Sequence, residues 1–135
     1  MIAVDASVWV SGLTLRDVYH QISRGWLAAQ HANSNYLAIP VICLAEVSGA
    51  ISRVTGYTDE GERAIDQILA RPNIRILPVD HLLGLEAAHL AAQLRLRGAD
   101  AVYVALAQRL GIPLATWDQE LLQRASGVVT IQQPA

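Results

Sequence analysis

Gly98-Ala-Asp-Ala-Val-Tyr-Val-Ala-Leu-Ala-Gln-Arg-Leu-Gly-Ile-Pro-Leu-Ala-Thr-Trp-Asp118 decides the fold, because two acids bracket a helix and a strand with almost nothing polar between them. From Ala99 to Leu110 only Gln108 and Arg109 are strongly polar, so the spacing predicts a helix buried on more than one face. Gly111 ends it. Ile112-Pro-Leu-Ala-Thr116 is too short and too apolar for another surface helix, and Pro113 is tolerable among a strand's first residues, so this run reads as a short buried strand with Asp118 just past its end.

The first residues repeat the arrangement. Met1-Ile-Ala-Val-Asp5 is an apolar strand that finishes on an aspartate, before Ala6-Ser-Val-Trp-Val10 turns to helical spacing. In an open parallel sheet, ligands sit outside the carboxyl ends of the strands; if these two strands are neighbours, Asp5 and Asp118 meet at one edge. Asp100 falls at the start of its helix, where a carboxylate either accepts backbone N–H groups or serves a site. Asp and Glu are almost never buried unless paired or bound to a cation, so three acids in apolar frames point to a shared function.

Working outward, Ala6 to Leu13 and Asp17 to His31 read as helices, the second carrying Val18, Ile22, Trp26 and Leu27. Tyr36–Ile39 is a second strand, and Pro40 opens a helix running from Val41 to Val54, in which Glu46 is the sole acid. Such a glutamate either snorkels to solvent or meets a cation. Thr58 starts a helix with a hydroxyl cap and acids in its first turn, continuing through Ala64–Ala70. Ile74–Leu77 alternates as a strand with Arg75 turned out, and Asp80 caps a helix from Leu82 to Leu96. Arg95 and Arg97, at the end of that helix, either neutralise its C-terminus or hold a phosphate backbone near Asp100; the helix-end role is the favoured expectation. Gln119–Ala125 is a final helix and Val128–Ile131 a last strand. Alternating strands and helices give an α/β domain with a mostly parallel sheet.

Composition narrows the function. At 135 residues, 53% hydrophobic and 16% charged, the chain is expected to be one domain with a real core. No apolar run is long enough to cross a bilayer and no basic n-region precedes the first strand, so a cytoplasmic protein without membrane association is expected. Net charge is −2, so any nucleic-acid contact must be local. All ten basic residues are arginine, which excludes mechanisms that require lysine, such as the P-loop or a Schiff base. His20, His31, His81 and His89 lack metal-ligand spacing, and the single Cys43 reads as a small core residue. Trp117 either stacks on a base beside Asp118 or packs.

Four acids in apolar frames, Asp5, Glu46, Asp100 and Asp118, are the pattern of PIN-domain ribonucleases, and the sequence resembles their VapC-like toxin branch nearly end to end. Ile2-Ala-Val-Asp-Ala-Ser-Val-Trp9 is similar to the opening strand motif and Pro40-Val-Ile-Cys-Leu-Ala-Glu-Val47 to the helix of the second acid. Gly98-Ala-Asp-Ala-Val-Tyr-Val-Ala-Leu-Ala107 with Thr116-Trp-Asp118 is similar to the final pair, the most specific part. The resemblance implies a three-layer α/β/α sandwich and an Mg²⁺- or Mn²⁺-dependent endoribonuclease. It also implies a homodimer, a cognate VapB-like antitoxin, and supporting hydroxyls at Ser7 and Thr116. Ser11–Asn35 and Thr55–Asn73 match none of the family's motifs.

The residues on their own terms agree with that chemistry. Carboxylates are hard oxygen ligands, suited to Mg²⁺ or Mn²⁺ rather than zinc or copper. Asp5, Asp100 and Asp118 are the expected metal contacts, with Glu46 acting through a metal-bound water or orienting the nucleophile. Two other readings stand beside a toxin ribonuclease: a PIN-fold RNA-processing nuclease, and a non-catalytic RNA- or protein-binding module.

Overall fold

The apolar runs that open the chain and precede Asp118 become neighbouring strands of one sheet. In the computed structural model, which describes residues 1–135, the strands are β1 (Ile2–Val4), β2 (Leu37–Pro40), β3 (Ile74–Leu77), β4 (Leu114–Ala115) and β5 (Ile131–Gln132). Their order is β3-β2-β1-β4-β5 and every neighbouring pair is parallel, with Ala3 opposite both Ala38 and Leu114. The helices are α1 (Ala6–Leu13), α2 (His20–Ala32), α3 (Ile42–Thr55), α4 (Thr58–Leu69), α5 (His81–Leu94), α6 (Gly98–Leu110) and α7 (Gln119–Ala125).

The chain steps from β1 out to β2 and β3 through α1–α4, then crosses back to β4 and β5 through α5–α7. Right-handed crossovers in opposite directions put these two groups of helices on opposite faces of the sheet. The packing agrees: α1 lies on α2 and α3, and α3 on α4, while α5 lies on α6 and α6 on β1, β2 and β4. The result is the expected three-layer α/β/α sandwich. Strand order reverses between β1 and β4, so a crevice opens outside their carboxyl ends, where Asp5 and Asp118 leave the sheet.

Helix α6 explains the apolar stretch from Ala99 to Leu110. Asp100 to Ala107 are all buried, because α6 is covered by the sheet on one side and by α5 on the other. Gly111 closes the helix at φ +64°, a left-handed conformation that glycine adopts at no steric cost. Another glycine sets a helix spacing: a Cβ on Gly61 would come within 2.6 Å of the Ser48 carbonyl oxygen, so α4 lies on α3 only because residue 61 has none. One core cluster of 29 buried residues, with Trp9, Tyr103 and Leu27 among its largest members, draws on both faces of the sheet.

Several boundaries differ from expectation, each for a local reason. Helix α2 begins at His20 rather than Asp17, because the Asp17 side chain accepts the Tyr19 N–H in a turn; Val18, outside the helix, is exposed. Pro40 closes β2 instead of opening α3, paired opposite Leu77, and the next N–H, of Val41, goes to the Leu77 carbonyl. Thr58 is the first residue of α4 and gives no cap; the preceding Tyr57 N–H bonds Thr55 Oγ1 at 3.2 Å. The last strand is Ile131–Gln132 rather than Val128–Ile131, since the N–H groups of Val128 and Val129 both return to Ala125. Asp80 does cap α5, accepting from the Leu83 N–H at 2.8 Å. No helix is long and apolar enough to cross a membrane.

Candidate active site

Asp5 follows β1 directly and is only 5% exposed. Its Oδ2 accepts two hydroxyl protons, from Ser7 Oγ at 2.6 Å and from Thr116 Oγ1 at 2.8 Å. The same hydroxyl oxygens accept the N–H of Trp117 at 3.1 Å and of Asp118 at 3.0 Å. Each hydroxyl has one proton and spends it on Asp5, so the carboxylate is held in one orientation and the ends of β1 and β4 are tied together. Ser7 and Thr116, the hydroxyls to which the resemblance points, both contact Asp5.

Asp118 is the cap of α7: its Oδ1 accepts the Glu120 N–H at 2.8 Å. Asp100, in the first turn of α6, caps nothing. Its Oδ2 instead receives Arg97 Nε at 3.1 Å, and the same guanidinium reaches Asp118 Oδ2 through Nη2 at 3.4 Å. The expectation that Arg97 serves the end of α5 is therefore corrected. That end is occupied by Arg95 in a left-handed conformation, and Arg97, two residues on in extended backbone, turns in among the acids.

Glu46 enters from α3, one helical turn after Cys43, and its Oε1 accepts the Tyr103 hydroxyl at 2.7 Å. Burial pushes the Glu46 carboxyl above its ordinary range; the Tyr103 hydrogen bond and Arg97 oppose the shift, and the charges of Asp5 and Asp100 add to it. Asp100 is likewise raised, chiefly by burial and further by Asp5 and Asp118, with Arg97 opposing. Glu46 therefore lies within the field of Asp5 and Asp100, and Asp100 within that of Asp5 and Asp118. Burial also raises the Cys43 thiol to about 12, which keeps it protonated as a core residue.

Whether these side chains suit a divalent cation is decided by the donor set and by Arg97. The donors are all carboxylate oxygens, the set that suits a hard ion. As they stand, no three converge on a single ion, and a guanidinium lies between Asp100 and Asp118. The guanidinium shows that Asp100 and Asp118 accommodate a positive charge between them. The Arg97 side chain is 75% exposed.

Two residues escaped the sequence reading. Tyr103 reads as one more apolar position of α6, although it follows Asp100 by three residues and so shares its helix face. Arg97 reads as a helix-end residue beside the acids, whereas its partners are Asp100 and Asp118. Trp117 packs: its ring stacks on Tyr19 with centroids 3.8 Å apart, and its indole N–H donates to Ser23 Oγ at 2.8 Å.

Among solved structures, the Sarcin-Ricin loop cleaving toxin VapC20 of Mycobacterium tuberculosis superposes with a TM-score of 0.82 at 20% identity, covering 98% of this chain and 99% of that one. VapBC2 of Rickettsia felis, bound to a DNA fragment from its promoter, gives 0.75 at 17% identity, covering 98% of both chains. A toxin-antitoxin complex of Klebsiella pneumoniae gives 0.70 at 16% identity, covering 100% of this chain and 98% of that one. At these identities the likeness establishes the fold. No curated protein sequence is significantly similar to the chain. The PIN domain family model matches residues 2–127, a span that contains all four acids and every strand but the last, and the chain belongs to the PIN domain family.

Proposed function

We propose that this chain is an Mg²⁺- or Mn²⁺-dependent endoribonuclease and the toxin of a toxin-antitoxin pair, working in the cytoplasm as a homodimer with a VapB-like antitoxin. One observation carries the reading. Four acids gather at the switch point of a parallel sheet, with a single guanidinium lodged between two of them. The neighbours solved as toxins or toxin-antitoxin complexes support the biological role.

In this reading Asp5, Asp100 and Asp118 hold the ion and Glu46 completes the cluster. Bound there, a divalent cation lowers the pKa of water and stabilises charge on a phosphodiester oxygen. The chain's own residues do the rest. Ser7 and Thr116 hold Asp5 by its Oδ2, which leaves Oδ1 for the ion. Tyr103 holds Glu46 by one oxygen, leaving the other to accept a proton from the attacking water. Arg97, displaced from Asp100 and Asp118, is positioned to meet a substrate phosphate.

On this proposal an antitoxin inhibits at the same acids. A guanidinium fits between Asp100 and Asp118, so a partner peptide that brings an arginine competes for that position with Arg97 and with the ion. The test is co-expression with a candidate VapB-like antitoxin, followed by affinity measurements on the purified pair. Asp118→Ala should weaken the complex at least about tenfold if a desolvated charge pair is lost. Unchanged affinity would remove the arginine-competition part of the proposal.

A further inference from the structure

Beside the acid cluster lies a cleft of about 520 Å³ whose wall passes from Ser7 and Glu46, at the site, to Asp17, Tyr19, Trp117 and Arg53. Arg53 is the only cation lining it and has no ion-pair partner. Its guanidinium lies along α3 over Gly49, where an added Cβ would come within 3.2 Å of Nη1. The aromatic wall is rigid. Trp117 is fixed by its bond to Ser23, whose hydroxyl lies 2.6 Å from that of Ser11 in the buried layer beneath, and Tyr19 covers it with an interplanar angle of 6°. Tyr19 itself is held by its N–H to Asp17 Oδ1 at 2.8 Å and remains 38% exposed.

A preorganised aromatic face, an unpaired arginine and a connected path to a carboxylate cluster are the parts of a single-strand nucleotide subsite. Bases stack on aromatic rings whatever their identity, and arginine takes the phosphate. We propose that this cleft seats one nucleotide of a single-stranded RNA next to the phosphate attacked at the acids, its base on the outer face of Tyr19 and its backbone phosphate on Arg53. Glu46 and Asp17 also line the cleft and repel phosphate, which leaves Arg53 as the one place where the backbone can anchor. The assignment rests on the nuclease reading of the adjacent acids. It adds the side chains that grip the strand and the direction in which the strand leaves.

Tryptophan fluorescence tests it. Trp9 and Trp26 are buried in the core, so Trp117 is the indole able to report on the cleft. A mixed-sequence single-stranded RNA decamer, titrated in metal-free buffer where hydrolysis is absent, should change the emission. Tyr19→Phe should bind like the wild type, whereas Tyr19→Ala should bind roughly tenfold more weakly, as expected for one lost stack. Arg53→Gln, on an exposed helix position, should weaken binding and flatten the dependence of log affinity on log salt by about 0.7, the share of one phosphate on a single strand. With Mg²⁺ present, both weakened variants should cleave with a raised KM and a nearly unchanged kcat. Wild-type affinity and salt slope in Arg53→Gln, with wild-type affinity in Tyr19→Ala, overturn the subsite while leaving the nuclease reading intact. Binding that depends on Tyr19 and Arg53 without any cleavage under Mg²⁺ upholds the subsite and defeats the nuclease reading.

Discussion

The Tyr103 hydroxyl donates to Glu46 Oε1 at 2.7 Å, from the face of α6 that also carries Asp100. This bond works against the burial and the neighbouring charges that raise the Glu46 pKa. Tyr103→Phe keeps the ring in the core and removes the donor, so the Glu46 pKa should rise further. If Glu46 acts as a carboxylate, the acid limb of the rate-against-pH profile should move to higher pH while the rate on the plateau changes little. A profile superimposable on the wild type would show that Glu46 does not titrate in the reaction.

Arg97 predicts a metal-binding effect that is separate from activity. As the guanidinium between Asp100 and Asp118, it both screens the cluster and blocks the cation position. Arg97→Gln should lower the melting temperature of the metal-free protein and enlarge the shift produced by Mg²⁺, because the ion no longer displaces a bound cation. Isothermal titration with Mn²⁺ should show tighter binding by the variant. An Mg²⁺ shift equal to that of the wild type would mean that Arg97 does not compete for the site.

The pH dependence of stability follows from Asp100 and Glu46. Both have folded pKa values raised above the ordinary 3.8 and 4.5, so the folded state takes up protons before the unfolded chain does. Above their folded values, both ionised carboxylates destabilise the metal-free protein. As pH falls through the folded values towards the ordinary ones, that penalty is removed, and the gain is complete once pH lies below the unfolded values. Asp100→Asn should raise the melting temperature of the metal-free protein at neutral pH and reduce its gain on mild acidification. Thermal melts across that range check both, and a variant that melts lower than the wild type at neutral pH would contradict the account.

Much of this architecture is legible in the chain because apolar runs and their terminators carry it. Gly98–Leu110 is apolar all round because α6 is covered on two sides, and Gly111 is a stop that only a left-handed residue supplies. The neighbouring placement of β1 and β4 follows from two apolar runs that each lead to an acid. Interactions set by tertiary geometry were not legible. Pro40 reads as a helix opener until β3 is placed beside it. Arg97 is as near in sequence to the end of α5 as to Asp100, and only the αL turn at Arg95 aims it at the acids. Tyr103 looks like core until α3 brings Glu46 against it, and the pairing of Trp117 with Tyr19 joins residues from stretches with no common pattern.

The central claim is that the four carboxylates form one cation-dependent site that cuts RNA. The most direct measurement is cleavage of a single-stranded RNA by the purified, antitoxin-free protein in Mg²⁺ and in EDTA, with Asp100→Asn alongside. Asparagine keeps the shape of residue 100 and removes its charge. The account predicts cleavage in Mg²⁺, none in EDTA, and a loss of at least about a hundredfold in the variant. Cleavage that persists in EDTA, or a near-normal rate for Asp100→Asn, would contradict it.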